Sequence, residues 1–376
     1  VFSQSLNSYY QTIVSNTSPD TLYHHLISFQ NFGVKRIPST ALNNTANWII
    51  GKYQSFGYTD IVRDTFSYSG NELYNIVVTK QGTVFPDKYL IIDSHYDTYN
   101  NYIQHSPGAN DNGSGVTAML EIARLLSGVN TAYSIKFITF SAEEVGLVGS
   151  QHYVSEVVRT SNMDILLVFN IDEVGGQNGV NNTTINCESD QSAPTYSNVV
   201  SADYTDTLSN ITELYSTLST SITNAYGSDY MSFQKDSIVI TGFYEYPTSS
   251  HYHKTTDIVA NMNLPYFYQV TKASVASALY FAKAYQVFTE VDRNSISTGI
   301  IVYPNPVSDF LKIIGLTDEK YNLLISDFTG RLIISKQVSG KSCFVDTKQM
   351  NSGVFSYSIC DMSGRIVKSG KLVRIK

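Results

Sequence analysis

Five short segments hold nearly all the chain's clusters of histidines and carboxylates: His95-Tyr96-Asp97, Asp111-Asn112-Gly113-Ser114-Gly115, Glu143-Glu144, Asp172-Glu173 and His251-Tyr252-His253. Two imidazoles, one bridging carboxylate and two terminal carboxylates are what a pair of adjacent divalent metals needs, with one carboxylate left over to move protons. Residues two apart at a strand end point the same way. Asp97 can therefore hydrogen-bond the ring nitrogen of His95 that is not on a metal and set its tautomer. Asp111, on a glycine-containing turn, has two oxygens for two metals; Asp172 and Glu144 each complete one, and a histidine of the last segment completes the second. Three carboxylates against two zinc ions leave the cluster cationic by about one unit, which favours a bridging hydroxide. Glu143 is not needed for that balance and is placed to take the water proton and pass it to a leaving amine.

Such residues need rigid elements to bring them together. Strand-like apolar runs at 88–93 (KYLIID), 134–141 (SIKFITFS) and 164–171 (DILLVFNI) lead into His95, Glu143 and Asp172, and open α/β sheets place their sites at strand ends of this kind. Residues 115–126 repeat apolar positions at a helical period, so Asp111 sits at the mouth of a helix beside those strand ends. Further helices are expected ending near Phe29, over 41–55 with Gly57 as a stop, and over 264–288. The expected fold is an α/β domain with a mixed, mostly parallel sheet sandwiched by helices over residues 1–288. A polar linker follows at 289–299 (TEVDRNSISTG), and then a small all-β sandwich at 300–376. The β module carries a repeat, ISDFTGRLI at 325–333 and ICDMSGRIV at 359–367, in which Asp opens and Gly closes a hairpin turn. Taken singly, each chemical segment has an ordinary reading as a turn, a cap or a solvated pair; their conjunction on strand ends points to a site.

The 376 residues suffice for one large and one small domain, and 42% hydrophobic with 15% charged residues is a globular composition. A net charge of -7 and the lack of any Lys/Arg run that could track a phosphate backbone argue against nucleic acid as a partner. No stretch approaches the roughly 20 apolar residues of a membrane span. Three cysteines are too few for a disulfide scaffold, and Cys343 with Cys360 is open between a pair and two free thiols. The chain begins at Val1 without an apolar leader, which reads as a processed form.

With these residues in view, the chain resembles the zinc aminopeptidases of peptidase family M28. The matching stretches are SHYDT (94–98), PGANDNGSGVTAMLEIARLL (107–126), ITFSAEEVGLVGSQHY (138–153), NIDEVGG (170–176), SDYMSF (228–233) and HYHKTTDI (251–258). The resemblance implies two Zn2+, one on His95, Asp111 and Asp172 and the other on Asp111, Glu144 and His253. It implies Glu143 as general base, Asp97 and Asp257 as partners behind the ligands, and peptides cut at their N-termini. The family often has His where this chain has Tyr230 and Thr where it has Lys254, which bears on the substrate side and leaves His251 as the alternative ligand.

The tail resembles the type IX secretion C-terminal sorting domain of proteins exported by Bacteroidota, through YPNP at 303–306, the turn at 327–331, NSGVF at 351–355 and a basic end. It implies type IX machinery as a partner, passage through the periplasm and outer membrane, and a secreted or cell-surface protein. The rival readings are a glutaminyl cyclase-like single-zinc transferase and a catalytically dead peptidase fold that binds. The apolar, aromatic-rich segment 226–246 is expected to line an apolar substrate pocket.

Overall fold

The computed structural model describes residues 6–99, 105–286, 299–362 and 364–375. The chain divides into two compact units, Val1–Ala284 and Tyr285–Lys376. The linker expected at 289–299 lies outside the described residues except for Gly299.

In the first unit, helices α1 (Ser8–Val14), α2 (Pro19–Asn31) and α3 (Thr40–Ser55) precede strands β1 (Ile61–Tyr68), β2 (Asn71–Lys80) and β3 (Phe85–His95). Next come α4 (Gly113–Leu126), the two-residue β4 (Asn130–Thr131) and β5 (Tyr133–Phe140). Helix α5 (Val148–His152) runs through a π-helical turn at Tyr153–Val158 into α6 (Arg159–Ser161). The remainder is β6 (Asp164–Ile171), β7 (Thr184–Ser189), α7 (Asn198–Tyr215), β8 (Ser219–Asn224), α8 (Tyr230–Gln234), β9 (Ile240–Tyr246) and α9 (Leu264–Phe281), and the two-residue β10 (Ala284–Tyr285) falls at the boundary between the units.

Eight strands form one sheet in the order β1-β2-β5-β3-β6-β9-β7-β8. Its centre, β5-β3-β6-β9, is parallel, while β1-β2, β2-β5 and β7-β9 are antiparallel, so the sheet is mixed with a parallel heart. The parallel register brings the ends into line: His95 pairs with Phe140, and Asp93 pairs with Asn170, so the chain leaves β3, β5 and β6 at one edge of the sheet.

Both faces of the sheet are covered, which is why β3, β5 and β6 read as nearly unbroken apolar runs. Phe29, Tyr53, Leu120, Phe137, Phe169 and Phe267 pack in one core between the sheet and helices including α2, α3, α4 and α9. Ile91, Ile138, Phe140, Tyr153, Phe233 and Ile240 pack on the other face. Helix starts are capped as the sequence types dictate. Ser18 Oγ accepts from Thr21 N at 3.2 Å, Ser39 Oγ from Leu42 N at 3.0 Å and Asn263 Oδ1 from Tyr266 N at 3.2 Å. The last helix stops at Phe281, short of the expected 288, because Lys283 takes a left-handed φ of 48° that cannot continue a helix.

The second unit contains a three-stranded sheet, β11 (Ile301–Tyr303), β12 (Phe310–Ile314) and β15 (Ser342–Asp346). Its four-stranded sheet runs in the order β14 (Leu332–Ser339), β13 (Lys320–Asp327), β16 (Gly353–Cys360), β17 (Ile366–Arg374). The sequence repeat forms the β13-β14 and β16-β17 hairpins. In each, an Asp carboxylate accepts from the backbone N and Nε of the Arg four residues on, at 3.1 and 3.1 Å for Asp327 and 3.0 and 3.0 Å for Asp361. Gly330 and Gly364 close the turns at φ of 82° and 86°. Cys343 and Cys360 are both free thiols.

Gly115 lets α4 approach the end of β6. A Cβ there would collide with the carbonyl oxygen of Ile171 and the side-chain oxygen of Asn112, whereas one on Gly128 would meet nothing within 4 Å. Gly115→Ala is expected to destabilise the protein by about 1–3 kcal/mol in urea denaturation. Gly128→Ala should stay within about 0.5 kcal/mol of the parent; equal effects would contradict this packing.

Candidate metal centre

The five sequence segments converge at the strand ends. His95 closes β3; Glu143 and Glu144 follow β5 after Ala142, which takes a left-handed φ of 62°; Asp172 follows β6; and His253 lies on the loop after β9. Asp111 stands just before α4, where Asn112 caps the helix by accepting from Gly115 N at 2.8 Å and donates to Ile171 O at 3.0 Å.

Asp111 faces two ways. Its Oδ1 lies 3.2 Å from His95 Nε2, which is also 3.4 Å from Asp172 Oδ1, while its Oδ2 lies 3.1 Å from His253 Nε2, itself 3.1 Å from Glu144 Oε2. Two donor sets result, His95, Asp111, Asp172 and Asp111, Glu144, His253, and within each the donor atoms lie within 4.8 Å of one another. His251 is placed elsewhere, its Nδ1 2.8 Å from Thr256 Oγ1.

The electrostatics are those of a carboxylate cluster short of positive charge. Burial works against a charged His95, but the facing Asp172 and Glu143 carboxylates and the contact with Asp111 outweigh it and hold the ring well above its ordinary pKa. Burial likewise opposes charge on His253, and its contacts with Asp111 and Glu144 lift it to about 9. For Asp111, burial is outweighed by the two imidazoles, which hold it down to about 2. Burial and the neighbouring Asp111 push Glu144 up to about 8, and burial raises Glu143 well above the usual carboxylate range.

A divalent metal fits these residues. Asp172 Oδ1 and Glu144 Oε1 are buried with no hydrogen-bond partner among the described residues, which is costly for a carboxylate unless a cation takes the lone pairs. Imidazole nitrogen with carboxylate oxygen is a donor set that suits zinc.

The supporting contacts differ in one respect from the sequence expectation. His95 Nδ1 meets the backbone carbonyl oxygen of Asp97 at 3.1 Å, and the Asp97 carboxylate stands 3.8 Å away. That carboxylate instead accepts from the backbone N of Glu143 at 3.1 Å and of Glu144 at 3.2 Å, because the turn after β5 brings both amides over it. Asp257 accepts from the backbone N of Asn110 at 2.7 Å and of Asp111 at 3.1 Å.

Further contacts, made by Ser228, Glu245, Asn110 and Lys35, were not singled out from the sequence. Ser228 donates to Asp172 Oδ2 at 2.8 Å. Glu245 accepts from Asn110 Nδ2 at 2.9 Å and Gly176 N at 2.6 Å, and Asn110 Oδ1 accepts from Gly175 N at 2.7 Å. Lys35, fully buried, donates to Pro107 O at 2.7 Å. A glutamate inside the apolar run ITGFYEY was the one legible signal, since a carboxylate in a central strand demands partners. Of the 226–246 aromatics, Tyr230, Phe233 and Phe243 are core residues, while Tyr226 and Tyr246 are exposed. Tyr230 donates to Glu188 Oε2 at 2.7 Å, so it faces the interior.

The fold and site together define an α/β protein with a paired His-carboxylate centre at its parallel strand ends. Residues 75–278 match Peptidase family M28, and the chain belongs to that family. Residues 301–374 match the secretion system C-terminal sorting domain. The chain is 38% identical over 110 residues to aminopeptidase YwaD of Bacillus subtilis, covering 29% of this chain and 23% of that protein. It is 29% identical over 181 residues to leucine aminopeptidase 1 of Paracoccidioides brasiliensis, covering 44% and 46%. It thus spans less than half the length of either relative. The crystal structure of Legionella pneumophila LapA aminopeptidase superposes with a TM-score of 0.63 at 22% identity over 74% of this chain and 78% of that one, which shows the shared fold. Among the described residues no helix is long and apolar enough to cross a membrane.

Burial, eased by the Tyr230 hydroxyl, raises the Glu188 pKa from an ordinary 4.5 to about 8. The folded chain therefore keeps a proton that the unfolded chain releases, and the parent loses stability as pH rises from about 4.5 to 8. Glu188→Gln stays neutral and keeps an acceptor for Tyr230. Its stability relative to the parent is expected to rise by on the order of 2–4 kcal/mol between pH 4.5 and 8.5 in urea denaturation; no pH dependence of the difference would contradict a protonated Glu188.

Proposed function

We propose that this protein is an exported zinc aminopeptidase with two metal ions, one held by His95, Asp111 and Asp172 and the other by Asp111, Glu144 and His253. The observation that carries the reading is the orientation of Asp111, whose two oxygens address two separate histidines. When bound, paired zinc ions polarise a scissile carbonyl and lower the pKa of water to near neutrality.

The chain's own residues supply the rest. Glu143 adjoins Glu144 but belongs to neither donor set, so its carboxylate is free to take the proton of the attacking water and deliver it to the leaving amine. Asp97, through the amides of Glu143 and Glu144, fixes where those two side chains start, and Asp257 does the same for Asp111. The names of the relatives, an aminopeptidase and a leucine aminopeptidase, support cleavage at peptide N-termini. An apolar preference for the residue removed is the reading of the aromatic-rich segment 226–246.

The tail's match to a sorting domain supports export through the periplasm and outer membrane by type IX machinery, to the medium or the cell surface. In this reading residues 1–288 are the catalytic domain, 289–299 a linker and 300–376 the sorting domain.

The full chain, incubated with zinc and peptides beginning with Leu or Gln beside their N-acetylated forms, should shorten only the free peptides, stepwise from the N-terminus, as read by mass spectrometry. Loss of ammonia from the Gln peptide would make it a cyclase, shortening from the other end a carboxypeptidase, and unchanged peptides a binding protein. Glu143→Gln should keep two zinc ions per chain and lose roughly 10²–10⁴-fold in turnover; full activity would remove Glu143 from the mechanism.

A further inference from the structure

The two histidines of the site are held very differently. His95 ends a central strand, its side chain is 2% exposed and its Nδ1 is 3.1 Å from the Asp97 carbonyl oxygen. His253 sits on a loop at a left-handed φ of 55°, and its side chain is 23% exposed. Histidines that ligate metals ordinarily donate the second ring nitrogen to a carboxylate, a carbonyl or water, and a protein partner, as at His95, fixes the plane of the ring.

What flanks the ring is aromatic on both sides. The Tyr99 ring lies parallel to it, centroids 3.9 Å apart and planes 2° apart, and the Tyr252 ring stacks on it at 3.7 Å and 23°. The imidazole is thus a slab between two tyrosines, free to slide in its plane toward Asp111 and Glu144 but not to rotate out of it. Tyr252 is the neighbour of His253 in the chain. Tyr99 comes from the segment that leaves β3, four residues beyond His95, so its stack ties the strand end carrying one donor set to the loop carrying the other.

We propose that Tyr99 and Tyr252 are positioning residues that orient the His253 imidazole by stacking, and that Tyr99 thereby sets the affinity of the Asp111, Glu144, His253 site for its zinc ion. The inference rests on the two-metal reading above. Packing can do this orienting: a stacked aromatic pair is favourable, and loss of a partner that orients a ligating histidine commonly weakens metal binding 10–100-fold. Stacking needs a flat face and not a hydroxyl, so Phe can replace Tyr99, and an aliphatic residue cannot. The effect is confined to one metal, because His95 takes its orientation from β3 and the Asp97 carbonyl.

Titration of the metal-free full chain with zinc against a chromophoric chelator resolves two dissociation constants per chain. Tyr99→Leu is expected to weaken one of them by about 10-fold or more and leave the other unchanged, and Tyr99→Phe should restore both. Tyr99→Ile repeats the test with a second non-aromatic side chain in case the leucine variant does not fold, and circular dichroism reports folding of each. Two unchanged constants in Tyr99→Leu, equal weakening of both, or a Tyr99→Phe variant as weak as Tyr99→Leu would each overturn the inference while leaving the two-metal reading intact. A parent chain that takes up fewer than two zinc ions would overturn that reading and the inference with it.

Discussion

One carboxylate addressing two histidines is the constraint on which the rest of the site depends. Asp111 can do so only if its backbone is held between β3, β6 and the loop after β9, and the structure commits a good deal to that. Asp257 takes the amides of Asn110 and Asp111, Asn112 links the start of α4 to Ile171, Asn110 bonds Gly175 and Glu245, and buried Lys35 anchors Pro107. Each contact joins the Asp111 segment to a different part of the fold. The turn is therefore fixed in place by polar contacts whose loss would leave buried groups unpaired.

The same crowding makes the centre electrostatically expensive without a cation. Asp111, Glu144 and Asp172 converge with Glu143 beside them, and burial raises the cost of every charge. The two imidazoles offset part of that, seen in the opposite displacements of Asp111 and His253. A site of this kind suits a cation, since among the described residues Asp172 Oδ1 and Glu144 Oε1 are buried without a hydrogen-bond partner.

Much of this was legible in the sequence because the relevant signals are local. Apolar runs ending in His95, before Glu143 and before Asp172 mark strands whose parallel pairing then forces their ends together. The Asp-Gly-Arg repeat at 327–331 and 361–365 is likewise a turn that folds on its own residues. What escaped depends on contacts between distant segments. The Asp97 carboxylate turned from the His95 ring to two amides past β5, which strand alternation cannot foresee, and Glu245 meets Asn110 across 135 residues of chain. The end of α9 was misjudged because the apolar pattern runs on past Phe281, and only the left-handed turn at Lys283 stops the helix. Tyr99 beside His253 belongs to the same class, a contact between two loops with no periodic trace.

The sharing of Asp111 between two metals is most directly tested by zinc K-edge X-ray absorption on the zinc-loaded full chain. Two zinc ions per chain with a zinc-to-zinc scattering vector of about 3.5–4 Å are expected for a bridged pair. A single zinc ion per chain, or two ions with no such vector, would contradict a bridging Asp111.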